Sequence, residues 1–325
     1  MSATYKFKFK PGSLIYSFLL RSIVSIVKGP QGEISELFLA SVAACVSLMY
    51  QQGTIICMEA PSTGNKPKSE KTSYQRLLIA ALKKEIEMAR KLDPEKLASE
   101  IRKIGFSCQR CGKCCRRAFG DNRVAVIPSE IERIQEYTGL SKLEVAGPFV
   151  IEDPIQDGTG KSEEECPETS LIASKENEES FSPDLLESLE DCIDCEGKVH
   201  AFGWILRRKR NGDCTFLERD TYKCRIYPAR PMLCSTYPFY IEGLRLQTCE
   251  CEGLGSPISI EDSRKLAEDL LFRYISELED TLDLYEKFVD FKRGEKGLEL
   301  AKRSKENGTF TCIVHDSKGS TEISS

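Results

Sequence analysis

The chain has 325 residues, 40% of them hydrophobic and 30% charged, enough for one large or two modest domains of ordinary soluble composition. A net charge of -5 leaves no basic excess and so gives no reason to expect nucleic-acid binding. Fifteen cysteines are many for this length but too few for a fold held by disulfides alone.

Residues 1–57 contrast with the rest. Their acids are Glu33 and Glu36, and they carry apolar runs over 13–27, interrupted by Arg21, and over 37–50. A membrane-spanning helix needs roughly 20 apolar residues, so neither run predicts a span. The segment reads as an extension: sequence upstream of a start at Met58, or a membrane-touching appendage. A polar linker over 61–72 leads into a helical hairpin assigned to 58–104. Its first helix carries the stripe Leu77, Leu78, Ala81, Leu82, Ile86, Met88. Asp93-Pro94 is an N-cap and first-turn pair that opens the second, with Leu97, Ile101 and Ile104.

Gly105-Phe106-Ser107 ends that helix and leads into a cysteine run. Val124 to Ile127 predicts a short strand. Pro128 then starts a helix through Ile131, Ile134 and Tyr137, stopped by Gly139, and Ser141 with Glu144 forms a capping box. Residues 151–196 hold sixteen Asp/Glu against two Lys. The stretch 156–185 is expected to be a disordered insertion, which makes Cys166, Cys192 and Cys195 poor candidates as ligands. Val199 to Leu206 reads as one strand. The basic run 207–210 follows it, and Asn211-Gly212 turns the chain back into Cys214–Leu217. Ser259 and Asp262 cap a long helix assigned to 259–293, with the stripe Leu266, Leu270, Tyr274, Leu278, Leu282, Tyr285, Val289. The remainder, 294–325, reads as a polar tail with one weak strand at Phe310 to Val314. The expected architecture is α+β: a cysteine-rich core of short strands and loops over 105–258, flanked by helices, with the long helix towards the C-terminus.

All cysteines but Cys45, Cys57 and Cys312 lie from Cys108 to Cys251. Two are adjacent and several sit two residues apart, poor geometry for bridging one another and good geometry for chelation. They are expected as reduced thiolates on a metal in the cytoplasm. One set is Cys108, Cys111, Cys114 and Cys115. There Gly112 permits a tight turn, and Lys113, Arg116 and Arg117 offset thiolate charge. Neighbouring side chains point about 100° apart on a helix and to opposite faces of a strand. Cys114 and Cys115 are therefore not expected to serve one tetrahedral site. The other set is Cys214, Cys224, Cys234 and Cys251, stiffened by Pro228, Pro231 and Pro238. Arg225 and Arg230 stand ready to hydrogen-bond thiolates or an anionic ligand, or to form surface ion pairs.

Zinc sites and iron–sulfur clusters each take about four such ligands, so eight thiols suffice for two centres. The cofactor is zinc or an iron–sulfur cluster such as [4Fe–4S]. Cys249 is a ninth candidate, set below Cys251, which opens Cys-Glu-Gly-Leu-Gly255. Of the two histidines, His200 reads as a packed or surface residue and His315 as an inert tail residue. No HExxH, Walker loop or GxSxG occurs, and no residue is assigned to catalysis.

These residues resemble the YkgJ-type CxxCxxCC family, a zinc- or iron-chelating domain. The resemblance rests on Phe106-Ser-Cys108-x2-Cys111-Gly-Lys-Cys114-Cys115-Arg116, on Gly212-Asp-Cys214-Thr-Phe-Leu217, and on Cys224-Arg-Ile-Tyr227-x2-Arg230-Pro231-x2-Cys234. Tyr237-Pro238-Phe239 and Cys251-x-Gly253-x-Gly255 complete it. It covers about 105–255. Ser235 departs from the family, which often has arginine there. The resemblance implies a metal-binding domain, often labelled an iron–sulfur oxidoreductase. Through the flagellin lysine N-methylase group, which shares the cysteine pattern, it also implies methyl transfer to protein lysine. The chain offers no glycine-rich nucleotide loop and no Cys-x3-Cys-x2-Cys spacing for such an enzyme. A zinc-stabilised interaction module is the third possibility. A protein or redox partner is expected, with no nucleic acid and no membrane span.

Overall fold

The computed structural model describes residues 73–116, 118–119, 123–149, 186–187, 189–209 and 211–324. The extension 1–57, the linker 61–72 and the insertion 156–185 lie outside the described residues.

Helix α1 (Ser73–Ala89) turns Leu78, Ala81, Leu82 and Ile86 to one buried face. Helix α2 (Pro94–Ile104) starts where the Asp93 carboxylate accepts from the Glu95 N–H at 2.9 Å, with Pro94 in the first turn. It stops at Gly105, φ 73°, whose N–H donates to Ile101 O. Both helices pack on α6 (Ile260–Lys287), which is capped by the Ser259 hydroxyl accepting from the Asp262 N–H. Leu78, Leu82, Leu97, Ile101, Leu270, Tyr274 and Leu278 form this core together with Phe239 and Ile241 of the hairpin β5 (Phe239–Glu242) and β6 (Arg245–Thr248). Full burial of each large side chain contributes roughly 1.5–3 kcal/mol relative to exposure. Val289, expected to end the stripe on α6, lies beyond the helix and is 60% exposed.

A second core forms around two small sheets. Strand β4 (Trp204–Leu206) runs between β1 (Ala125–Val126) and β2 (Ala146–Pro148), antiparallel to both. Helices α3 (Pro128–Thr138) and α4 (Lys142–Val145) connect β1 to β2, with Gly139 in the left-handed conformation at the end of α3. The single strand expected over Val199–Leu206 is two. Gly203, at φ 92°, breaks it and donates its N–H to His315 O. That break lets β3 (Val199–Phe202) leave the sheet of β4 and pair in parallel with β7 (Thr311–Asp316). Strand β8 (Gly319–Ser324) completes the β3-β7-β8 sheet.

The polar tail with one weak strand is corrected here. The residues after Gly294 carry helix α7 (Gly297–Glu306), β7 and β8, and α6 is not the last element. Cys312, Val314 and Asp316 alternate inward and become buried through pairing with β3, more than a hundred residues earlier. Local pattern does not show such a partner. The mixed α+β architecture, short strands and long helix agree with the sequence reading. Among the described residues no helix is long and apolar enough to cross a membrane.

His315 is not an inert tail residue. Its Nε2 lies 2.8 Å from His200 Nδ1, and His200 Nε2 lies 3.3 Å from Asp194 Oδ2. Phe291 stacks on His200 with ring centroids 3.7 Å apart. A neutral pair satisfies this chain, with His315 donating to His200 and His200 donating to Asp194. Burial is the main force pushing both imidazoles below their usual pKa, His315 to about 4. Asp194 opposes the shift at His200, where Arg293 adds to it and Asp290 opposes it. At His315 the second histidine adds to the shift and Asp316 opposes it. The folded pKa lies below the unfolded value, so the unfolded chain binds more protons in between. The contribution is present above pH about 6.5 and is lost as pH falls towards 4. For His315 alone it is on the order of 3 kcal/mol. Urea unfolding at pH 7 and pH 5 should show a steeper loss for the native chain than for the His200→Gln/His315→Gln double variant.

Candidate metal centre

The elements just described bring together four cysteine-bearing stretches that are distant in sequence. Beyond α2, Phe106 pairs with Leu254. The Ser107 N–H donates to Gly253 O and the Gly255 N–H to Gly105 O, each at 3.0 Å. This antiparallel clip sets Cys108 beside Cys251. A Cβ on Gly253 would lie 2.2 Å from Ser107 O, so only glycine permits the approach. The Gly253 N–H also donates to Cys251 Sγ at 3.4 Å, and Lys113 pairs with Glu252 across the clip.

Gly112, at φ 66°, turns the first loop against Tyr222. A single 3₁₀ turn, Lys113–Arg116, follows and carries Cys114 and Cys115, whose sulfurs lie 3.9 Å apart. The Cys214 N–H donates to Cys115 O at 2.9 Å. Cys214 itself closes the turn through Gly212, opposite Arg208, and the Leu217–Cys224 bridge sets Cys224 alongside. Cys234 sits in the short helix α5 (Met232–Thr236), which is fixed at both ends. Glu130 of α3 accepts from the Ile127 N–H at 3.0 Å and from the Met232 N–H at 2.6 Å. Arg273 of α6 donates to Thr236 Oγ1 at 2.6 Å and to Phe239 O at 3.3 Å.

Electrostatics show how closely the thiols stand. Burial raises Cys234 well above the usual thiol range, and the charges of Cys214, Cys114 and Cys224 raise it further. Burial likewise raises Cys251, with Cys114, Cys108 and Cys111 adding to it. Cys214 is pushed up to about 11, by burial first and then by Cys224 and Cys114. Cys114 moves the other way, to about 7, chiefly through its hydrogen bond with Cys115, and the charge of Arg230 helps. The same hydrogen bond raises Cys115, with burial and the charges of Cys114, Cys234 and Cys214 adding to it. Two neighbourhoods emerge: Cys251 with Cys108 and Cys111, and Cys115 with Cys214, Cys224 and Cys234. Cys114 faces both. Among the described residues the thiols are gathered rather than closed on one point, and no three Cys, His, Asp or Glu side chains stand ready around a metal ion.

The other cysteines stand apart. Cys249 and Cys195 are exposed, Cys312 is buried under β7 and pushed up to about 12 by that burial, and Cys192 is disulfide-bonded. Cys166 lies outside the described residues. Both histidines are engaged with one another, so the available donors are sulfur. Of the arginines singled out from sequence, Arg225 donates to Thr215 O at 2.9 Å, while Arg230 helps lower Cys114 and opposes the rise that burial causes at Cys224. Arg116 donates to Cys111 O at 3.4 Å. The side chain of Arg117 lies outside the described residues. Sequence reasoning missed Glu130 and Arg273, which carry no motif of their own. Their signal is position: each is a charged residue on the apolar face of a helix.

Residues 107–252 match the CxxCxxCC family model, described as "Putative zinc- or iron-chelating domain", a span that begins one residue before Cys108 and ends one residue after Cys251. The matched span covers somewhat less than half of the chain. No curated protein and no solved structure matches the chain. The sulfur donors of the matched span fit the zinc or iron of the family's description, since both zinc and iron–sulfur clusters take thiolates.

Two substitutions test how the loops are held. Gly253→Ala forces Ser107 away from the clip and should cost about 3 kcal/mol in denaturant unfolding, lowering metal content as Cys108 and Cys251 separate. Glu130→Ala leaves two buried N–H groups without an acceptor and should cost about 2–4 kcal/mol in the same measurement.

Proposed function

We propose that the span matched by the CxxCxxCC family binds metal through eight cysteines arranged as two four-thiolate groups. Cys108, Cys111, Cys114 and Cys251 form one group. Cys115, Cys214, Cys224 and Cys234 form the other. The observation that carries this reading is that backbone pairing gathers cysteines from separate loops: the Phe106–Leu254 bridge beside Cys108 and Cys251, the Cys214 N–H donating to Cys115 O at 2.9 Å, and the Leu217–Cys224 bridge. Cys114 and Cys115, with sulfurs 3.9 Å apart, stand where the two groups meet, and each group takes one of them. Free thiols near each other are raised by one another's charge, and a cation relieves that repulsion. Metal binding therefore expels protons, and affinity rises with pH as the raised thiols become easier to deprotonate.

Zinc bound this way would hold the loops in place. An iron–sulfur cluster would add the capacity to accept and pass on an electron. In either case the residues supply negative sulfur donors, while backbone N–H groups such as that of Gly253 and the charge of Arg230 moderate them. Reduced thiols in this number fit a reducing compartment such as the cytoplasm.

Anaerobic purification followed by metal and acid-labile sulfide analysis tests the proposal. Two centres per chain are expected. Brown protein with stoichiometric iron and sulfide supports a redox-active cluster, and colourless protein with stoichiometric zinc removes the redox role. Cys108→Ser and Cys214→Ser should each remove one of the two centres. Loss of both centres in either variant would replace two groups with one shared site, and native protein without bound metal would sink the reading.

A further inference from the structure

Beside the thiolates stands a group of basic side chains that metal binding alone does not use. Arg110 and Arg230 both lie over the ring of Tyr227, with guanidinium carbons 5.0 and 4.1 Å from its centroid. Neither guanidinium has a hydrogen bond or a carboxylate partner among the described residues, in a chain whose acids outnumber its bases. Arg90 and Arg264, by contrast, are paired with Glu279 and Glu95. Tyr227 is 38% exposed, so solvent reaches the pair. A few residues along the same loops, Arg116 lies 4.0 Å over the ring of Tyr222, and its Nε is buried without a partner.

The backbone fixes these positions. Arg110 is held at φ 53° and Tyr222 at φ 54°, conformations that cost energy for residues with a side chain. The carbonyl of Arg230 accepts from Arg133 at 3.0 Å, which anchors the start of its loop. Stacking on tyrosine holds a guanidinium by its face and leaves the N–H fork at its edge free. Guanidinium binds oxyanions in bidentate fashion, and one ring here carries two such groups. The charge of Arg230 acts on Cys114 and on Cys224, one cysteine from each proposed group.

We propose that Arg110 and Arg230, aligned on Tyr227, form a binding site for the carboxylate or phosphate group of a small ligand presented to the thiolate centre. The proposal rests on the reading of the eight cysteines as a metal site and adds the ligand's chemical class.

The test uses metal-loaded, full-length protein made under anaerobic conditions. Metal content is measured first, so that a failure of the metal reading shows before any anion is added. Side-chain N–H signals of Arg110 and Arg230 are then followed by NMR. One series adds inorganic phosphate and another adds succinate, at constant ionic strength set with chloride. Saturable shifts of both signals with one of the two anions are expected, and the anion that saturates identifies the class. Arg110→Ala should weaken that binding roughly tenfold or more while metal content stays the same. Arg110→Lys, which keeps the charge and loses the fork, should weaken it less. Absence of saturation with either anion would overturn the proposal. So would loss of metal in parallel with loss of anion binding in both Arg110 variants, because the arginines would then serve the thiolates alone.

Discussion

Like charge at close range is the constraint on which the rest of the structure depends. Cys214, Cys234, Cys251 and Cys115 are raised by the charges of other cysteines as well as by burial, so the thiols resist ionising together. A gathering of this kind is unfavourable unless something holds the loops in place or a cation neutralises them. The first of these conditions is met. The loops are held by backbone pairing, and the donor set is one that zinc and iron–sulfur chemistry accept.

The position of the thiols explains how that pairing is supported. Phe106 and Leu254, which close the clip beside Cys108 and Cys251, pack against the helical core of α1, α2 and α6. Cys214 and Cys224 pack against the other core, built on the small sheets. Cys234 is fixed from both sides, by Glu130 of α3 and by Arg273 of α6. The cysteine loops therefore lie at the seam between two cores. Metal bound there would tie the two together as well as fill a site. Arg273 is buried with Glu277 at 3.0 Å, and that pairing keeps its charge compensated where α6 meets α5.

Much of this was legible in the sequence wherever the signal is local. Asp93-Pro94, Pro128 with Gly139, and Ser141 with Glu144 mark their helices because caps are satisfied within a few residues. The expected divergence of Cys114 from Cys115 is not what the structure shows: their sulfurs lie 3.9 Å apart, and both interact with Cys214 and Cys234. What was not legible depends on distant partners. The strand expected over Val199–Leu206 divides at Gly203 because two sheets compete for it. The last thirty or so residues look polar because half of each strand faces solvent, and their buried half is meaningful only against β3. His315 becomes a packed residue for the same reason. At the site, spacing identified the cysteines but not the clip between 105–107 and 253–255 that decides which of them meet.

Sulfur as the sole donor type is the central requirement of the proposed centres. His200 and His315 are committed to each other, and the carboxylates of Glu130 and Glu252 are engaged with backbone N–H groups and with Lys113. X-ray absorption at the edge of the metal present in anaerobically purified protein reads the donor set directly. The prediction is a shell of about four sulfurs per metal, at about 2.3 Å for zinc, with no imidazole nitrogen. A nitrogen or oxygen shell, or fewer than half the expected sulfurs, would contradict it.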